Sequence, residues 1–505
     1  MVVRDRAGQI GHMTAPSPLE LKSAAGRGVL FSTILASGMA FLDGTIVNVA
    51  LPHIGADLHS SIAGLQWTIN GYLLTLAAFV LLGGSLGDRL GRRKIYLIGV
   101  VWFTVASVLC ALSPTIGMLI GARFLQGAGA ALLTPGSLAI IQASFRSEDR
   151  GRAIGLWSGF SGISTALGPF VGGYLIDALS WRWAFLINVP LGILAILASA
   201  KWVPESRAPK ENTRFDVTGA VLAALALAGI TFALIEAPDD GWGAPLVVGA
   251  IAIGVVSAVA FVLVERRKGD AAMTPPSLFR SRVFTVLNLY TVAVYGALSG
   301  EGFFLAVMLQ NVAGYDAFQT GVATLPATVL MLLLSARSGE LATRISPRWQ
   351  LTIGPVVAAV GIILLRRIGP DTNYLTDVLP GVLLFGLGLV TLVAPLTTAV
   401  LGAVSMEHSG IASGVNNAAA RAGALIAIAA LPLLVGLTGE SYQVPADLTS
   451  SFRSAMLWCA GLMVVGAALA LVFCGGVVAA MWHRAVTVMT TANHSVHPVR
   501  TDETP

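Results

Sequence analysis

The chain has 505 residues, 55% of them hydrophobic and only 11% charged, and its formal net charge is +5. Soluble domains carry charge on about a quarter of their residues, so a single aqueous core cannot hold this much apolar surface and a bilayer must solvate many of these residues. The basic residues flank short loops with no aromatic platform interleaved, a pattern of membrane topology and not of nucleic-acid binding.

Residues 1–25 are polar and lack the short apolar core of a signal peptide. They read as an unstructured cytoplasmic tail, and the segment after about residue 484 reads the same way. Runs near the 20 or so apolar residues that a spanning helix needs follow at 28–51, 64–86, 95–113, 115–141, 152–178, 183–203, 217–236, 244–265, 283–311, 318–338, 350–368, 377–402, 410–436 and 454–482. About fourteen spans result, an even number that puts both termini on one side. Cations gather at alternate junctions, among them Arg146, Arg150, Lys201, Arg207, Lys210, Arg214, Arg266, Arg267, Lys268, Arg280 and Arg282. The opposite junctions hold Arg182, Arg366, Arg367 and Arg453, and the adjacent pair Arg366–Arg367 is the exception to the bias. The richer side is expected to be cytoplasmic. Cys110, Cys459 and Cys474 all fall in apolar runs, with neither metal-ligand spacing nor a disulfide framework.

The junction between the second and third runs is the most patterned. Gly84-Ser-Leu-Gly-Asp88-Arg89-Leu-Gly91-Arg92-Arg93-Lys94 packs four cations and one carboxylate into a short loop with three glycines. About 255 residues later Gly339-Glu-Leu-Ala-Thr343-Arg344-Ile-Ser346-Pro-Arg348 echoes it, with Thr343 in place of the Asp and Ser346 in place of a Gly. The first stretch resembles, nearly letter for letter, the loop between helices 2 and 3 of the major facilitator superfamily. That resemblance implies an all-α membrane protein of two related six-helix halves. Here the runs at 217–236 and 244–265 supply two extra helices between the halves. The expected division is a tail at 1–25, a first half at 26–205, two linking helices at 206–270, a second half at 271–485 and a tail at 486–505.

Ionisable residues inside spans are costly and mark functional sites by default. Span one holds Asp43 within Leu42-Asp43-Gly-Thr45-Ile-Val-Asn48-Val-Ala-Leu-Pro52, either a polar brace between helices or a protonatable site. Span four holds Arg123 within Arg123-Phe-Leu-Gln126-Gly-Ala-Gly, a guanidinium that keeps its proton and must find a carboxylate, carbonyls or water. Span five holds Gly168-Pro169-Phe-Val-Gly172-Gly173, where Pro169 kinks the helix and Gly168 and Gly172 allow close packing. Glu301 lies in span nine, and Arg421 lies in span thirteen after Asn416 and Asn417. Both are site candidates, and charge pairing within the bundle is the competing role.

The first-span pattern resembles the signature of the fourteen-span drug:proton antiporter branch of the superfamily. The Arg123 and Gly168–Gly173 patterns resemble the family's proton-coupling and antiporter motifs. The resemblance implies proton-coupled export of a small amphipathic compound through the cytoplasmic membrane. It assigns coupling to Asp43 and Arg123; no family motif covers Glu301, which is the rival carrier as an ionisable residue inside a span. It assigns gating to Gly84, Asp88, Arg89, Gly91, Arg92 and Arg93, and a hinge to Gly168, Pro169, Gly172 and Gly173. Asn48, Trp67, Tyr72, Gln126, Phe303, Phe304, Asn416 and Arg421 are candidates to line the substrate cavity. No Gly-Lys pair exists for a phosphate-binding loop, and there is no HExxH or GxSxG motif. Neither ATP, a cofactor, a metal nor enzymatic activity is expected. A uniporter or symporter of the same fold and a non-transporting membrane receptor are the alternatives.

Overall fold

The structure, a computed structural model, describes residues 18–207, 216–344, 346–404 and 409–473. Cys474, Lys210, Arg214 and the tail after 473 lie outside the described residues, as does the tail before 18. Residues of that first tail from 18 onward are pinned to the bundle. Leu19 N donates to Ser144 O at 2.7 Å and Leu21 N to the Asp149 carboxylate at 2.9 Å.

The first half consists of α1 (Ala24–Asp57), α2 (Ile62–Leu90), α3 (Arg92–Ala111), α4 (Ile116–Ser144), α5 (Ser147–Ala178), the single turn α6 (Trp183–Leu186) and α7 (Asn188–Trp202). A hairpin of α8 (Val217–Asp240) and α9 (Pro245–Lys268) follows. The second half contains α10 (Arg282–Asn311), α11 (Ala317–Arg344), α12 (Pro347–Leu365), α13 (Leu379–Gly402), α14 (Ser409–Leu434) and α15 (Pro445–Phe473). The apolar runs supply the length, and polar side chains start the helices. Ser23, Ser61, Thr115, Asp216 and Ser281 each accept a bond from a first-turn N–H, which satisfies a donor that the helix leaves free.

Among the described residues twelve helices are long and apolar enough to cross a membrane, with α6 and α7 together forming one, and α2 taken as a single span bent by 47° makes thirteen. The expectation of about fourteen is close to this count. The remaining long helix is α5, whose glycines and serines lower its apolarity although it runs for 32 residues.

The two halves repeat one packing scheme. The pairs α2–α4, α3–α4, α1–α5, α1–α7 and α3–α7 recur as α11–α13, α12–α13, α10–α14, α10–α15 and α12–α15. The halves meet through α5–α11, α2–α14 and α1–α10. The hairpin docks through α8 onto both α2 and α14, with α9 outside it. At its base, Asp216 pairs with Lys268 and accepts the Gly219 and Met273 N–H groups. Burial opposes the charge of Asp216, but these partners outweigh it and hold the carboxyl below its usual range.

Contacts between the halves gather at the end of the bundle remote from the Gly84–Lys94 loop. There Gln310 donates to Val49 O at 2.9 Å, Asp177 accepts Phe318 N at 2.7 Å, and Tyr442 donates to Ser60 O at 2.8 Å. Gln66 reaches Ile428 O at 2.7 Å. The largest apolar core joins both halves through Ile46, Leu51, Phe304, Met308 and Phe452. At the loop end the first half has its own core, built on Val29, Tyr96, Phe103 and Ile141. The bundle is thus sealed at the far end and parts toward the loop.

Candidate functional site

Asp43 and Arg123, chosen separately from the sequence, form a buried ion pair in the middle of the first half. Arg123 Nη1 donates to Asp43 Oδ2 at 2.6 Å, and the two side chains are 1% and 0% exposed. The other Asp43 oxygen accepts from Gln126 Nε2 at 2.7 Å and Asn188 Nδ2 at 3.2 Å. Ser107 Oγ accepts from the same two amides at 2.8 and 3.3 Å. Arg123 Nε donates to Thr68 O at 2.9 Å, and its guanidinium lies 4.4 Å from the centre of the Tyr72 ring. Five helices, α1, α2, α3, α4 and α7, thereby meet on one carboxylate and one guanidinium.

The network pairs the buried charge as burial requires, while Asn188 Oδ1 has no hydrogen-bond partner among the described residues. Asn188 and Ser107 were not singled out from the sequence. A Ser inside an apolar run and an Asn at the start of a helix are too common to stand out, and only the fold aims both at Asp43. Gln126 belongs to this network and is wholly buried.

The second half is wired differently. Glu301 on α10 is 4% exposed and has neither an ion pair nor a hydrogen bond among the described residues. Phe303 and Phe304 beside it are packed edge to face in the core, each 1% exposed. Asn416 braces α14 to α10 through Thr291 Oγ1 at 2.7 Å and Asn288 Oδ1 at 3.3 Å. Asn417 turns back to Ser413 O at 3.0 Å. Arg421 is half-buried and likewise has no ion pair or hydrogen bond among the described residues. Trp67 faces the linking hairpin, with its indole N–H on Glu236 at 2.6 Å and its ring beside Phe232. Asn48 is half-buried on α1.

The Gly84–Lys94 stretch breaks at Gly91, whose φ of +118° suits only glycine and separates α2 from α3. Asp88 accepts from Arg92 at 2.8 Å across this break. Arg93 reaches back to Ala200 O at 2.9 Å. Glu205, which the sequence did not single out, caps α3 by accepting the Arg93 and Lys94 N–H groups, both at 3.2 Å. Its carboxylate stands where a Gly91 side chain would begin, 2.8 Å away. The Gly339–Arg348 echo occupies the equivalent junction, between α11 and α12.

The span-five glycines are contact points. A side chain at Gly168 would start 1.9 Å from Thr45 Oγ1, one at Gly172 would start 2.8 Å from Ile46, and one at Gly173 would start 2.4 Å from Ala317 O. So Gly168 and Gly172 bring α5 onto α1, and Gly173 brings it onto α11 of the other half. Pro169 sits within this packed stretch, and its carbonyl lies 2.2 Å from where a Gly321 side chain would begin. Toward the loop end Gly151, Gly155, Gly159 and Gly162 have nothing within 4 Å. One helix is therefore packed at one end and open at the other.

The sequence profile of the Major Facilitator Superfamily matches residues 33–428. The chain belongs to that superfamily. Among curated facilitators it is 37% identical over 409 residues to the puromycin resistance protein pur8 of Streptomyces alboniger, covering 79% of each chain. It is 34% identical over 426 residues to the methylenomycin A resistance protein of Bacillus subtilis, covering 84% of this chain and 90% of that one. It is 35% identical over 425 residues to the tetracenomycin C resistance and export protein of Streptomyces glaucescens, covering 83% and 79%. Solved facilitator structures share the fold. A POT family transporter with 5-aminolevulinic acid has a TM-score of 0.68 at 14% identity over 90% of this chain and 98% of that one. An inward-facing, unoccupied bacterial Spinster homologue has 0.62 at 17% identity over 92% and 98%.

Proposed function

We propose that this facilitator exports small amphipathic compounds across the cytoplasmic membrane in exchange for protons. The observation that carries the reading is the Asp43–Arg123 pair, a titratable carboxylate locked inside five helices of a bundle that is closed at one end only. The relatives named for resistance or export support the direction of transport. The Gly84–Lys94 loop end is the cytoplasmic end, where the cations concentrate, and both termini lie there. Alternating access then separates the contacts at the far end, Gln310–Val49, Asp177–Phe318 and Gln66–Ile428, while the loop end closes.

The energy suffices. One proton moving through about 150 mV releases about 3.5 kcal/mol, enough at about 1.4 kcal/mol per decade to sustain a gradient of a few hundred-fold. For Asp43 to carry that proton, its contact with Arg123 must loosen in one state and close in the other. The Asp88–Arg92 pair spans a helix junction and biases the same equilibrium, while the α5 glycines let α5 move against α1 and α11. The test is the purified protein in vesicles with an imposed pH gradient. Proton release on adding a substrate supports exchange. Substrate flux that ignores the gradient identifies a uniporter, and flux down the proton gradient in the same direction identifies a symporter.

A further inference from the structure

A cavity of about 190 Å3 lies at the loop end, where the start of α3 meets the ends of α4 and α7. Its lining includes Arg93, Ser144, Lys201, Trp202 and Ser206, with Leu19 of the pinned tail. Two of these are cations. Arg93 spends one nitrogen on Ala200 O at 2.9 Å, and Lys201 Nζ lies 4.9 Å from the centre of the Trp202 ring. Neither has an ion pair among the described residues. The charges around them are already engaged. Arg92 pairs with Asp88 and Arg146 with Glu20. Glu205 accepts the backbone N–H groups of Arg93, Lys94 and Ser206 at 3.2, 3.2 and 3.0 Å. Asp149 accepts Leu21 N at 2.9 Å. The result is a concave site with two cations whose side chains lack a counter-ion among the described residues.

The helices that form the cavity also set its depth in the membrane. On α3 the exposed large apolar side chains begin at Ile98 and continue through Val101 and Val105. On α7 they run from Ile193 and Leu194 to Leu197 and stop there. At 1.5 Å per residue, Ile98 is about 8 Å along its helix from Arg93, and Leu197 about 6 Å from Lys201. The cavity therefore lies where acyl chains give way to headgroups, a level that suits the amphipathic ring of Trp202.

We propose that this cavity binds the phosphate of an anionic phospholipid of the cytoplasmic leaflet. Lys201 and Arg93 are its counter-charges, and the acyl chains lie along the exposed side of α3 and α7. A basic pocket between helix ends on the cytoplasmic side suits a lipid phosphate, and the Arg93 guanidinium keeps donors for a charge-assisted bond to it. A choline headgroup brings its own cation and has less to gain here. A free phosphate has no apolar body to use the surface one turn away. The lipid ties the start of α3 to the end of α7, two helices that also bring Ser107 and Asn188 to the Asp43 network.

The test is native mass spectrometry of the purified full chain in detergent. The probes are phosphatidylglycerol and phosphatidylcholine with the same acyl chains, and inorganic phosphate. Wild-type protein should retain phosphatidylglycerol at least about fivefold over phosphatidylcholine. Lys201→Gln should remove most of that preference and Lys201→Arg should keep it. Arg267→Gln, an exposed cation at the same end of the bundle, should leave it unchanged. Wild-type protein without headgroup preference overturns the site, and that result needs no variant to fold. Equal losses in Lys201→Gln and Arg267→Gln also overturn it, because the charge of the whole end would then attract the lipid. Displacement of the lipid by millimolar inorganic phosphate overturns the lipid as occupant. Transport plays no part in the readout, so each of these failures leaves the export reading standing.

Discussion

Asp43 and Glu301 occupy corresponding places in the two halves. Each stands nineteen residues past the start of its helix, α1 and α10, which pack in equivalent ways. Asp43 is bound by an arginine and two amides; Glu301 has no partner among the described residues. The reason lies in the neighbouring helix. The counterpart of α4, which supplies Arg123 and Gln126, is α13, and α13 carries no ionisable residue at all. The repeat has kept the carboxylate and its position but not the network around it. Structural symmetry between halves is therefore a guide to where helices go and a poor guide to what their polar residues do.

The sharpest way to break this comparison is Asp43→Asn. Arg123 is then left buried without its counter-charge, at a cost of about 3–5 kcal/mol, and uphill export driven by a pH gradient is lost. Thermal unfolding and proton release from vesicles read the two effects. Adding Arg123→Gln recovers part of the stability and none of the transport. Full coupled flux in Asp43→Asn would reduce the network to a brace.

The next largest effect tests a feature that the halves do share. A side chain at Gly172 runs into Ile46, and one at Gly423 starts 2.3 Å from Val292 O across the equivalent α10–α14 contact. Gly172→Leu and Gly423→Leu should each cost about 1–3 kcal/mol by overpacking and slow turnover. Gly159→Leu, on the open stretch of α5, should cost well under 1 kcal/mol. Similar losses at Gly159 and Gly172 would mean that α5 is not packed at one end and open at the other.

Asp88→Asn concerns the loop that the second half only echoes. Its pair with Arg92 is a part-buried surface pair, so the stability change stays near or below about 1 kcal/mol, while transport falls strongly if the pair biases the gate. Wild-type flux would leave the loop as a topology signal. Glu301→Gln should be the quietest for folding, because it breaks no bond among the described residues and removes a carboxylate that burial disfavours. If Glu301→Gln abolishes proton release while Asp43→Asn keeps it, the carrier lies in the unwired half.

Much of this was legible in the chain. Apolar runs of spanning length located every long helix, and the Gly84–Lys94 echo located the repeat. α5 falls short of the apolarity of the other long helices because it buys close contact with glycine and serine. Asp43 and Arg123 stood out because charge inside a span is rare. Asn188, Ser107 and Glu205 did not, since their roles depend on which backbone turns toward them. Whether Glu301 and Arg421 are paired could not be read along the sequence either, because pairing is a property of the neighbouring helix. The contact of Trp67 with α8 was not legible either, because it depends on where the linking hairpin docks.

The α8–α9 hairpin carries a consequence for traffic. A two-half bundle has two lateral seams through which a lipid-dissolved molecule can enter, α2–α14 on one side and α5–α11 on the other. Here α8 lies across the first, fastened by Trp67 and Glu236 and by Ile235 against Ala429. The second carries no such cover among the described residues and parts toward the loop end. If the transported compound enters from the inner leaflet, the hairpin leaves it one lateral doorway in place of two.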